Sequence, residues 1–266
     1  MNPNRTMSRD DFETVPGLRA CAELIQSAMQ EVRAAGGQHS TWWGTLDEDH
    51  VPETEKNKGA DYQPFDWMID ERNIPWFTMW EYSWVLLTSD LIHLRAPQEV
   101  LSLGGAACAL DIAIGLLGHS VTVIEKRDYS AEQANRNARL LNMAHRFRAH
   151  KYSIEHFDQP LRERKFDRVV STNVLFLAGK PSRDALQRNL WRHVKVGGRC
   201  CFTFDHLNPN PERFVDSPET HFSWEFFQRV GEPFFDNGER YHDYYPDPHK
   251  GRYTAGALVL ERVNKW

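Results

Sequence analysis

From Gln98 onward the chain alternates short apolar runs with helical segments, and this alternation constrains the fold more than any other feature. EVLSL, VTVIE, RFRAHKYSI, FDRVVSTNVLFL and RCCFTFDH read in order as strands. Between them, three segments read as helices: ACALDIAIGLLG ending at Gly118, YSAEQANRNARLLNM with Ser130 as N-cap, and RDALQRNLWRHVKV closed by Gly197 and Gly198. HFSWEFFQRVG reads as a further helix and YTAGALVLERV as a closing strand. Strands separated by helices of this length imply parallel βαβ units with right-handed crossovers. The expected fold class is therefore α/β, a doubly wound and mostly parallel sheet.

The front of the chain differs in character. The first ten residues are polar and are expected to fray. From Asp11 a single helix is predicted to run to Gly36-Gly37, with Leu18, Cys21, Leu24, Ile25, Met29 and Val32 forming its apolar stripe. A polar stretch from Leu46 to Tyr62 reads as a long loop. Six of the nine tryptophans fall between Trp42 and Trp84. Their rings serve either to pack this segment onto the main domain or to form a lid with flat apolar faces. The chain thus divides into a helical, aromatic-rich extension over residues 1–75, a possible lid, and an α/β domain over residues 76–266.

Composition narrows the function classes. At 266 residues and 31.0 kDa the chain can bury a substantial core. A net charge of -5 and a pI near 6.2 argue against a life on phosphate backbones. No run is long and apolar enough for a membrane span, and the N-terminus lacks the apolar core of a signal peptide. Cys21, Cys108, Cys200 and Cys201 show no metal-ligand spacing and are expected to be reduced and buried, which suits the cytoplasm.

In an open parallel sheet ligands bind beyond the carboxyl ends of the strands, so the residues at that rim are the candidates. Gly104, Gly105 and Ala106 follow the first strand, where small residues let the backbone turn and approach a ligand closely. Glu125 ends the second strand, 21 residues after Gly104, where a carboxylate accepts both hydroxyls of a ribose. Tyr152 and Ser153 follow the third strand, Ser171, Thr172 and Asn173 the fourth, and Asp205 and His206 the fifth.

As an ordered set, these features resemble the class I S-adenosylmethionine-dependent methyltransferases over Val100 to Cys201. VLSLGGA stands where the family has its glycine-rich loop, and LLGHSVTVIEKR is similar to its helix end, second strand and ribose-binding acid. KFDRVVSTNVLFL resembles the fourth strand, LWRHVKVGGRCCFTF the glycine turn and fifth strand, and YTAGALVLER the antiparallel last strand. Trp80-Glu81-Tyr82-Ser83-Trp84 resembles an aromatic approach segment. The resemblance implies a Rossmann-like fold, S-adenosylmethionine as cofactor, and cofactor contacts from Tyr82, Ser102, Gly104, Gly105, Ala106, Glu125, Lys126, Tyr152, Ser153, Ser171, Thr172 and Asn173. The sequence departs from the family where an acid is usual, at Ser102, and at Ala106 and Cys108 where glycines are usual. Serine supplies no charge to hold the cofactor's ammonium group.

Methyl transfer needs a base only when the acceptor must lose a proton. His206 is the candidate base, with Asp205 as base or orienting group, and Tyr82 and Trp84 as pocket walls. The cluster from Tyr241 to Tyr245 is another candidate wall. His206, His221, His242 and His249 show no metal-binding spacing, and no metal is expected. Two rivals stand beside the enzyme: a non-catalytic, methyltransferase-like binding domain, favoured by the altered loop, and a nicotinamide-dependent oxidoreductase, of whose fingerprint only Gly104 survives. The acidic balance favours a small-molecule acceptor over nucleic acid.

Overall fold

The computed structural model describes residues 1–39, 65–68, 74–104, 109–172, 186, 188–210, 225–243 and 251–263. The sites at Gly105, Ala106 and Asn173, the polar stretch 46–62, and Trp42, Trp43, Cys108, His221, Tyr244, Tyr245 and His249 lie outside them.

The sequence alternation emerges as one mixed sheet. Its strands are β1 (Glu99–Leu103), β2 (Ser120–Glu125), β3 (Phe147–Lys151), β4 (Phe166–Thr172), β5 (Val194–His206), β6 (Phe227–Arg229), β7 (His242–Asp243) and β8 (Arg252–Arg262). They are ordered β3-β2-β1-β4-β5-β8-β6, with β7 also pairing β8. The five strands β1 to β5 are parallel, and β8 runs antiparallel between β5 and β6. This is a doubly wound, Rossmann-like topology. The strand order reverses at β1 and β4, which places the ligand crevice at their carboxyl ends.

Two cores lie on the two faces of the sheet. One face carries α2 (Leu18–Ala34), α3 (Trp76–Thr88) and α4 (Ala109–Leu116), and α5 (Asp128–Leu140) covers β2 and β3. Val100, Val123, Val170 and Cys201 point into this first core, with Trp76, Trp80 and Trp84 fully buried among them. Leu101, Leu103, Val169, Phe202 and Phe204 point into the second, as the two-residue period of a strand requires. Trp80 and Trp84 stack at 4.7 Å. Their indole N–H groups bond Asp11 Oδ2 at 2.8 Å and the Pro3 carbonyl at 3.0 Å. Trp84 is therefore core rather than a pocket wall, and described residues of the extension share one core with the sheet.

Several expectations at the level of elements are corrected. The front helix is two: α1 (Asp11–Thr14) stops because Pro16 drives Val15 to extended backbone, and Gly17 turns the chain at φ 86° before α2 begins. Leu24 lies on the outer face of α2 at 39% exposure, and Ala22, Gln26 and Ala28 join the buried side instead. The first residues do not fray. Asn4, Thr6 and Met7 are completely buried, and the backbone of residues 4–7 bonds Phe235, Ala255 and Ala257. Short backbone pairings to the flank of β8 outweigh the polar composition.

At the other helices, Arg127 rather than Ser130 precedes the first turn of α5, and Ser130 is buried within it. The segment before the fifth strand closes in a 3-10 turn, Leu190–His193, and β5 already starts at Val194 with a bulge near Gly197. The described end of HFSWEFFQRVG is strand β6, not helix. Phe227 enters the second core, Phe226 stacks on Trp191 at 4.4 Å against the same core, and pairing with β8 sets the extended backbone.

Candidate functional site

The site grows out of the carboxyl ends of β1, β2, β4 and β5 on the face covered by α3 and α4. Because side chains alternate, Ser102, Glu125, Thr172, Thr203 and Asp205 project on the same face as Val100, Val123, Val170 and Cys201. Two helices add acids to this arc, Asp111 from the first turn of α4 and Glu81 from the middle of α3.

The turn after β1 begins at Gly104. Its N–H extends the ladder to the Ile124 carbonyl at 2.7 Å, and its φ of 77° then swings the chain off the sheet, a conformation that favours glycine. Ser102 is buried, with its hydroxyl donating to the Gly104 carbonyl at 3.1 Å. The same hydroxyl is within hydrogen-bond reach of the Asp111 carboxyl. Asp111 is 1% exposed, its Oδ2 has no hydrogen-bond partner, and the nearby charge is another acid, Glu125. Burial first, and then Glu125, push its carboxyl up to about 8 against the Ser102 contact.

Glu125 is buried at the tip of β2. Its Oε1 accepts the backbone N–H of Arg127 at 2.9 Å and the Arg127 guanidinium at 3.2 Å. This fixes the carboxylate at the carboxyl end of β2. Lys126 beside it is exposed. The Tyr152 N–H continues the ladder to the Glu125 carbonyl at 3.1 Å, the residue is 36% exposed, and Ser153 is half-buried. Ser171 is on the opposite face and spends its hydroxyl on the Leu103 carbonyl at 2.9 Å, tying β4 to the end of β1. Thr172, half-buried, ends β4 on the acid-lined face. Tyr82 is partly buried on α3 against the first core.

At β5 the sequence candidates part. Asp205, buried, receives a hydrogen bond from the Asn208 amide at 2.7 Å. On the acid-lined face with it, Thr203 donates to Glu81 Oε1 at 2.9 Å. Burial pushes Glu81 up to about 8, opposed by the Thr203 hydrogen bond and helped by Asp205. His206 points to the other face, with Nε2 3.2 Å from Asp236 Oδ2 and its ring 5.0 Å from that of Phe234. Asp236 is in turn held by Arg240 at 2.6 Å. Tyr241 packs its ring 4.8 Å from Trp76.

Asp111 and Glu81 were missed by the sequence reading, yet a signal for both was present. Each is the only acid in an otherwise apolar helix, in ALDIAIGL and WFTMWEYSWVLLT. A carboxylate in such a run is either paired or functional. The buried thiols fulfil expectation: Cys21 is pushed up to about 12 and Cys201 to about 11 by burial. Among the described residues no helix is long and apolar enough to cross a membrane, and no group of three His, Cys, Asp or Glu side chains is placed to hold a metal ion.

Residues 101–202 match the family model described as a methyltransferase domain. No curated protein matches the chain. Among solved structures, TehB from Haemophilus influenzae is 20% identical with a TM-score of 0.50, over 68% of this chain and 61% of that one. The chain therefore spans less than two-thirds of TehB. A putative sarcosine dimethylglycine methyltransferase from Galdieria sulphuraria is 10% identical with a TM-score of 0.55, covering 71% and 86%. The StiE O-MT structure is 16% identical with a TM-score of 0.54, covering 71% and 75%. These likenesses concern the fold.

Proposed function

The chain carries a class I methyltransferase domain, and from that premise we propose that it transfers a methyl group from S-adenosylmethionine to a small-molecule acceptor. The observation that carries this reading is the arc at the carboxyl edge. A glycine turn at φ 77°, a buried acid at the tip of β2 and an orphaned carboxylate oxygen on Asp111 converge where the strand order reverses. These residues fit the cofactor. Gly104 would let the backbone come close, and Glu125 would accept from the ribose hydroxyls. Tyr152 and Ser153 stand on the β3 side of Glu125, where the base would lie. When bound, the cofactor supplies an electrophilic methyl on a sulfonium.

The protein's own contribution is alignment and proton handling. Asp205 takes the proton that an acceptor hydroxyl or amine must shed, and Asn208 fixes its orientation. Glu81 carries its proton at neutral pH and so does not add a second negative charge beside Asp205. The acid-lined face and the net charge of -5 favour a small acceptor over a polyanion.

Calorimetric titration with S-adenosylmethionine, S-adenosylhomocysteine and NAD tests the reading, alongside Glu125→Ala. Micromolar binding of the two adenosyl compounds, lost in the variant, is expected. Binding of NAD alone would overturn it. Silence from all three would move the non-catalytic reading, kept alive by Ser102, to the front.

A further inference from the structure

Among the described residues, Asp111 is a buried acid with an unpartnered carboxyl oxygen. It is 1% exposed, Oδ2 has no hydrogen-bond partner, and the carboxyl neighbours a neutral hydroxyl and another acid. Leaving a carboxyl half-satisfied in a core is costly, and such a group commonly awaits a partner that is not part of the chain. Its position says where that partner comes from. Asp111 sits in the first turn of the helix that follows the glycine turn, against Ser102 on β1 and facing Glu125 on β2.

Ser102 has one hydroxyl proton, within reach of both the Gly104 carbonyl at 3.1 Å and the Asp111 carboxyl. Its contact with Asp111 favours the ionised carboxyl but is outweighed by burial. A cation arriving at the turn would let the carboxyl ionise against it.

Building on the methyltransferase reading, we propose that Asp111 binds the ammonium of the cofactor's amino-acid end, with Ser102 as its relay to the glycine turn. The negative charge that strand β1 lacks at Ser102 is delivered from across the turn, by the helix. Asp111 is thus a specificity residue for adenosyl ligands that carry a cationic amino-acid end.

The test compares three ligands by calorimetry and by the shift in melting temperature that they cause. S-adenosylmethionine and S-adenosylhomocysteine both carry the ammonium, and only the first carries the sulfonium; 5′-methylthioadenosine has neither. Asp111→Asn keeps the shape and removes the charge. The expected result is a loss of about 10- to 100-fold in affinity for both amino-acid ligands, with 5′-methylthioadenosine unchanged. The variant's melting temperature without ligand should stay level or rise, since an unpartnered buried carboxyl is gone. Combining Asp111→Ser with Ser102→Asp, which returns the charge to the strand, should restore part of the loss. Loss for S-adenosylmethionine alone would assign Asp111 to the sulfonium and overturn the proposal. Equal weakening of all three ligands, or none, would make Asp111 a structural residue. If the unmutated protein binds no adenosyl ligand, the methyltransferase reading itself has failed.

Discussion

Asp205 and His206 are adjacent in sequence and both buried, yet they leave β5 on opposite faces. Asp205 lies toward Glu81 and α3, and His206 toward Phe234 and Asp236. One residue of register decides which can reach a ligand held over the acid-lined face. Asp205→Asn is expected to lower kcat by about 100-fold or more for an acceptor that must lose a proton, with KM little changed. His206→Gln, which still donates to Asp236, is expected to stay within about threefold. Transfer of radiolabelled methyl into a panel of hydroxyl and amine acceptors measures both. The reverse ranking would return the base to His206.

Asn4 anchors the N-terminal strap. Its side chain donates to the Val230 and Glu232 carbonyls at 2.7 and 2.9 Å and accepts the Val259 N–H at 2.7 Å, all in a fully buried position. Asn4→Ala leaves three backbone groups unsatisfied, and about 2–4 kcal/mol of stability should be lost. Urea unfolding reads this directly. A change below about 0.5 kcal/mol would mean that water replaces the amide and that the strap is dispensable.

Much of this architecture was legible in the sequence because parallel strands are apolar runs bounded by turns, and β1 to β5 and β8 follow that pattern. The rim residues were legible too, since Gly104 and Glu125 occupy positions fixed by strand ends. What the pattern could not reveal was long-range pairing. The strap of residues 4–7 reads as polar coil, and β6 reads as helix, because the β8 residues they pair with lie at least 31 positions away in the chain. The facing of Asp205 against His206 depends on the register of β5 against β4, which sets Val170 beside Cys201. Asp111 and Glu81 were visible as isolated acids in apolar helices, but their meaning needed the sheet edge they approach.

Gly104 holds φ at 77° directly after β1. Gly104→Val should cost about 1–2 kcal/mol, since a branched side chain is strained there, and Gly104→Asn less, because asparagine tolerates the left-handed region. Cofactor affinity should fall in the same order if the backbone must approach a ligand at this turn. Thermal melts and calorimetry on the two variants check the ranking. Equal effects of valine and asparagine would point to lost space, not backbone strain.

Glu81 gives the protein a pH-dependent stability whose sign can be worked out. Its carboxyl is shifted from the usual 4.5 to about 8 in the folded state, by burial above all, then by Asp205, with Thr203 opposing. Between those values the folded protein keeps a proton that the unfolded chain has released, so stability falls as pH rises through the window, by at most about 1.4 kcal/mol per unit. Asp111, shifted from 3.8 to about 8, adds a slope of the same sign. Glu81→Gln removes one of the two while its carboxamide oxygen still accepts from Thr203. The melting temperature of the unmutated protein should therefore drop between pH 5 and pH 8, and the variant should drop less. The gain of Glu81→Gln should be largest at pH 8 and vanish near pH 4, where both states of Glu81 are protonated. A variant that is destabilised equally at every pH would show that Glu81 acts through packing alone.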